Sequence, residues 1–145
     1  MKLKVLILSL FAVAALSAGN LTIKSSVNSV DKTVAKLQKI IKAKGITLFA
    51  TIDFRKGAKS IGSDMTDAKL VIFGNPKLGT RIMQRDIKAA IDLPMKVLVY
   101  KDFDGKTKIE YIDPKNLEKK YELSGCGVLP KLSNAMNKIT NKAGM

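Results

Sequence analysis

Apolar and polar positions along this chain fall into blocks that predict short strands separated by amphipathic helices. Leu21-Thr22-Ile23-Lys24-Ser25 alternates with the period of a half-buried strand. Ser26 to Ser29 offers caps, and Val30, Val34, Leu37 and Ile41 then recur at helical spacing while Lys32, Lys36, Lys39 and Lys42 take other faces, until Gly45 ends the helix. Ile46 to Ile52 is rich in β-branched and aromatic residues and short enough for a second strand, which ends in a loop at Asp53-Phe54-Arg55-Lys56-Gly57. The nearly continuous apolar run Lys69-Leu70-Val71-Ile72-Phe73 predicts a third strand with a central place in its sheet.

From Ile72 to Met83 the punctuation marks a strand leaving the core and turning into a helix, with Asn75-Pro76 as cap and first-turn proline. Ile82, Met83, Ile87, Ala90 and Ile91 continue a loosely helical pattern that stops before Leu93-Pro94. Met95 to Tyr100 and Lys106 to Ile112 flank Asp104-Gly105, a dipeptide that tolerates positive φ and so predicts a tight hairpin. Asp113-Pro114 opens a helix through Leu117 and Tyr121, and a last helix carries Leu129, Leu132, Met136 and Ile139 on one stripe. The predicted order is β-α-β-β-α-β-β-α-α: an α+β fold, a mostly antiparallel sheet with helices packed on one face. An apolar second face would be either a homodimer interface or a ligand groove.

Residues 1–19 read differently. Lys2 and Lys4 precede an apolar run from Val5 to Leu16 and the small residues Ser17, Ala18 and Gly19. A basic start, an apolar stretch too short for about 30 Å of hydrocarbon, and a small-residue exit predict a secretory signal peptide cleaved within 17–20, hence a periplasmic or secreted protein. Residues 20–145 then make one domain, with no linker composition dividing them. The single cysteine, Cys126, has no partner within the chain; in an oxidising compartment it is buried, reactive or paired with another chain.

Charge narrows the partners. Lys and Arg number 26 against 12 Asp and Glu, a net +14 that favours anionic company and weakens with salt. Export argues against nucleic acid. Only Arg55, Arg81 and Arg85 are arginines, so lysine point charges dominate over bidentate forks, as on a solvated surface. The same lysines could rest on anionic lipid or cell-wall polymer, an anionic envelope surface.

Several ordered motifs carry a family resemblance: Val34-Ala35-Lys36-Leu37 with Gly45, Ile52-Asp53, Gly57-Ala58, Phe73 to Thr80, and Ile91-Asp92-Leu93-Pro94-Met95-Lys96. Over about residue 28 to residue 122 the chain resembles the bacterial family catalogued as domain of unknown function 302. The resemblance implies a compact α+β fold of the TATA-binding-protein-like architecture, does not imply DNA binding, and supplies no activity. Two positions depart from the family pattern. Phe54 stands where a histidine is common, in a chain with no histidine, and Arg81 stands where proline is common.

No usual base and nucleophile pair can be assembled without histidine and with one cysteine, so the chain leans away from an enzyme and no catalytic residue or cofactor is assigned. Asp53, Asp64 and Asp67 read as solvated loop carboxylates. Met65, Met83 and Met95 could offer soft sulfur to copper, but their spacing matches no metal motif, and core packing is the better reading. The candidate site is therefore a ligand site: Phe54 and Phe73 as apolar wall, Lys77 and Arg81 attracting a small anionic or amphipathic ligand, Asn75 and Thr80 orienting it, with Asp53 alongside. The alternative reading of the signature is purely structural.

Overall fold

The computed structural model describes residues 21–145, so the signal-peptide reading of 1–19 lies outside the described residues. Its strands are β1 (Leu21–Ser26), β2 (Thr47–Asp53), β3 (Ala68–Gly74), β4 (Met95–Lys101) and β5 (Thr107–Ile112). They form one antiparallel sheet of order β1-β5-β4-β3-β2, which places β3 inside it as the apolar run requires. The α-helices are α1 (Val30–Ala43), α2 (Phe54–Ser60), α3 (Pro76–Met83) and α4 (Val128–Gly144). The hairpin turns at Gly105 with φ +76°, and α1 ends at Gly45 with φ +65°, where the Gly45 N–H donates to the Lys42 carbonyl.

Three local readings need correction. The loop after β2 is the helix α2, started by Asp53, whose Oδ1 accepts from the Lys56 N–H at 2.9 Å. The segment read as one helix through Ile91 is α3 followed by a separate 3-10 turn, Ile87–Ile91. Asp86 separates them, because its extended backbone stops α3 and its Oδ1 accepts from the Lys88 N–H at 3.0 Å. The helix after Asp113-Pro114 is a 3-10 turn, Pro114–Lys119.

Register decides what the sheet buries. Val71 faces Val97 and Phe73 faces Met95 across β3 and β4, while Val99 faces Ile109 across β4 and β5. This face packs against Val30, Val34, Leu37 and Ile41 of α1 and Met136, Ile139 and Ala143 of α4. Helix α4 is also tied to β1: the Lys24 ammonium donates to Asn137 Oδ1, Thr140 Oγ1 and Asn141 Oδ1 and lies 5.5 Å from the Tyr111 ring. Burial there pulls the Lys24 pKa down.

A second core, Ile82, Ala89, Leu117, Leu123, Cys126 and Leu129, joins α3 and the two 3-10 turns to the start of α4. Of the readings for Cys126, it is the buried one that holds. Asp86 stitches this core from beneath, its Oδ2 accepting from the Glu122 N–H at 3.1 Å; that bond and the Lys88 contacts hold its carboxyl below the usual range. Tyr121 donates to Asp92 at 2.7 Å, which lowers the Asp92 pKa and pushes the phenol up to about 12.

The opposite sheet face carries Leu21, Ile23, Ile52, Leu70, Ile72, Leu98 and Ile112 by the same register. Leu21, Ile23, Ile52 and Ile112 remain exposed, and the homodimer expectation rests on this face.

Leu37→Ala should cost about 2–5 kcal/mol in urea unfolding, since the side chain is wholly buried between α1 and the sheet. Asp53, Asp86 and Asp92 all have folded pKa values below their ordinary ones. Their contribution is complete above about pH 4 and is lost as pH falls through the lower folded values. Urea midpoints taken between pH 7 and pH 3 should therefore decline below about pH 4, and less steeply in Asp86→Asn.

Candidate functional site

The site begins where β3 runs out. The Asn75 Oδ1 accepts from the Lys77 N–H at 3.0 Å, and Pro76 occupies the first turn of α3, where its missing N–H costs nothing. Gly74 permits the exit, since a Cβ there would stand 3.2 Å from the Pro94 Cβ and 3.4 Å from the Phe49 ring. The turn is thus packed from both neighbouring strands.

Beside it lies a cavity of about 730 Å³. Ile46, Phe49 and Ala50 wall it from β2 and the residue before it, and Phe73 and Gly74 wall it from β3. Pro76, Leu78, Gly79, Thr80 and Met83 contribute from α3, Leu93, Pro94 and Met95 from the approach to β4, and Leu132, Ala135, Met136 and Ile139 from α4. The volume matches a small-molecule pocket, and the lining is apolar except at Asn75 and Thr80. Such a wall suits an apolar body, with a few polar groups to orient it. Met83, Met95 and Met136 are flexible thioethers that adapt to irregular shapes.

The structure divides the seven residues singled out from sequence. Phe73, Asn75 and Thr80 line the cavity. Lys77 and Arg81 do not; at 100° per residue they form the ridge of α3 next to the one carrying Pro76, Thr80 and Met83, both exposed and, among the described residues, without a carboxylate partner. They flank the site rather than enter it. Asp53 and Phe54 lie elsewhere: Thr47 pairs with Gly74 and Asp53 with Lys69, which sets them at opposite ends of β2, about 20 Å apart at strand rise.

Asp53 accounts for itself as the cap of α2 and as a partner of Lys69 at 3.3 Å; the Lys56 N–H above all holds its pKa down. Asp64 and Asp67 grip the Arg55 guanidinium at 3.0 and 2.9 Å, an ion pair that lowers the Asp64 pKa and raises that of Arg55. They clamp α2 rather than wait for a substrate. Of the three methionines weighed for copper, Met83 and Met95 share the cavity wall and Met65 lies outside it. Among the described residues, no group of three or more His, Cys, Asp or Glu could hold a metal ion.

Reasoning from sequence missed Ile46, Phe49, Ala50 and the α4 wall. The stripe Leu132, Met136 and Ile139 was visible, but a stripe facing a cavity has the same period as one facing a core.

The family described as domain of unknown function DUF302 matches residues 21–139, a longer stretch than the motifs alone suggested. A crystal structure of an uncharacterized conserved protein DUF302 from Bacillus stearothermophilus superposes with a TM-score of 0.69 at 18% identity, covering 88% of this chain and 97% of that one, which shows the shared fold. Two proteins named as fluoride-specific ion channels, FluC 1 of Brucella suis and FluC 2 of Brucella melitensis, are each 32% identical over 108 residues, 74% of this chain. The chain spans 42% and 40% of their lengths.

Asn75→Ala should lower stability by about 1 kcal/mol through the lost cap, read as a reduced urea midpoint with unchanged slope.

Proposed function

The chain belongs to the DUF302 family, and from that premise we propose that it is an exported binding protein whose cavity takes the apolar part of a small amphipathic anion. The observation that carries this reading is the cavity itself, about 730 Å³ of largely apolar wall built on the turn from β3 into α3. Lys77 and Arg81, exposed on the adjoining ridge of α3, supply the attraction for an acidic head at the rim, and Asn75 and Thr80 supply orientation. Export rests on the leader pattern of residues 1–19.

The channel name of the Brucella proteins bears on context. It attaches to chains of which this one matches less than half, and no described helix here is long and apolar enough to cross a membrane. Ion conduction therefore forms no part of the proposal.

The test is fluorescence titration with a dansyl-labelled fatty acid and its methyl ester. Saturable one-to-one binding of both probes is expected. Gly79→Leu should weaken both by tenfold or more, because that position lines the cavity and a Cβ there meets nothing within 4 Å. Lys77→Ala with Arg81→Ala should weaken the acid by roughly fivefold and leave the ester unchanged. Absence of saturable binding to either probe overturns the cavity reading; equal loss for acid and ester overturns the role of the two cations.

A further inference from the structure

The 3-10 turn Ile87–Ile91 turns its apolar side chains the wrong way for packing. Only Ala89 of this turn is buried, while Ile87 is 71% and Ile91 80% exposed. Exposed hydrophobes occur elsewhere as single side chains: Val27 before α1, Ile61 after α2, and Phe103 between Asp102 and Asp104.

The chain leading into and through the Ile87–Ile91 turn is rich in cations. Lys77, Arg81, Arg85 and Lys88 come from the same stretch of chain and are all exposed. Of the acidic residues there, Asp86 and Asp92 are already used, while Glu122, whose N–H donates to Asp86, is exposed. Asp86 is buried under two backbone N–H groups, with the Lys88 ammonium 3.6 Å away, and Asp92 is held by Tyr121 and Lys120. Arg85 donates to the Ser124 carbonyl, which fixes its position and leaves its charge uncompensated. Two protruding aliphatic side chains with exposed cations close by in the chain, Lys88 alone of them within ion-pair distance of a carboxylate among the described residues, are complementary to one kind of surface, in which anionic headgroups overlie hydrocarbon.

We propose that the Ile87–Ile91 turn, with Arg81, Arg85 and Lys88, docks the protein on an anionic lipid bilayer. Ile87 and Ile91 enter the boundary between headgroups and acyl chains while the guanidinium and ammonium groups meet lipid phosphates. Ala90, between them, belongs to the cavity lining together with Met83 and Thr80, so docking sets the cavity beside the lipid. A ligand with an apolar body and an acidic head could then pass between bilayer and cavity without crossing open water. The docking surface stands whether or not the cavity takes such a ligand.

The test is co-sedimentation of the mature protein with vesicles of phosphatidylcholine alone or mixed equally with phosphatidylglycerol. Binding to the anionic vesicles only is expected, weakening as salt is raised. Ile87→Asp with Ile91→Asp should reduce the partition coefficient at least tenfold while the circular dichroism spectrum is unchanged. Should that pair disturb the fold, Lys88→Glu, on a side chain 72% exposed, should still reduce it roughly tenfold. Equal binding by the variants, equal binding to neutral vesicles, or protein that sediments alone and is dispersed by the isoleucine changes would overturn the proposal, the last by assigning the patch to a second copy of the chain. Dansyl fatty acid binding in vesicle-free solution separates the two readings: its persistence with failed docking leaves the cavity intact.

Discussion

Because the sheet has helices α1 and α4 on one face, each strand must commit its alternate side chains to that face, and the remaining architecture follows from that commitment. β3 cannot make the choice alone, since Leu70 and Ile72 are as apolar as Val71 and Phe73. Its neighbours decide. A slip of one residue in β4 or β5 would turn Lys96, Lys108 or Glu110 toward the helices, where burying an unpaired charge costs far more than any apolar contact restores. Those groups are instead settled outside: Lys96 donates to the Asp92 and Pro94 carbonyls, Lys108 to Ser25, and Glu110 accepts from Tyr100. Polar residues on the far face thus hold the register of an apolar core on the near one.

With the register fixed, the end of β3 is fixed as well, and Asn75-Pro76 starts α3 at that point. Helix α4 crosses behind, anchored at its C-terminal end by Lys24 and by the close approach of Gly144 to the Ser25 carbonyl. Three rigid elements then meet at an angle that small residues such as Gly79 and Ala135 do not fill. The cavity is a consequence of geometry set elsewhere. Its walls belong partly to the main core, through Phe73, Met95, Met136 and Ile139, so its shape is tied to the stability of the fold.

Features encoded by neighbouring residues were legible in the sequence: the alternation of β4 and β5, the Asp104-Gly105 turn, the stripe of α1 and the cap at Asn75. Features depending on distant partners were not. Helix α2 buries no residue and includes Gly57, so it has neither apolar period nor strong propensity; Asp53 and the Arg55 clamp sustain it. The break between α3 and the Ile87–Ile91 turn depends on Asp86 reaching the Glu122 N–H, a contact across 36 residues. Phe73, Asn75 and Thr80 were found because punctuation marks them, whereas Phe49 and Ala135 join the site only through tertiary packing. Asp53 and Phe54 were grouped with that site by adjacency to a motif, and the length of β2 separates them from it.

One small irregularity reaches further than the site. The pairing of β2 with β3 shifts between Leu48 and Ala50, which leaves Phe49 as an extra residue. β2 is an edge strand with no charge from Thr47 to Ile52, the kind of edge that recruits other extended chains into fibrils. The bulge interrupts its hydrogen-bond spacing, which makes the edge a poorer template for a neighbour. Phe49, one of the residues that wall the cavity, is therefore also the one that breaks the edge, so straightening β2 to reshape the pocket would restore an uninterrupted uncharged edge.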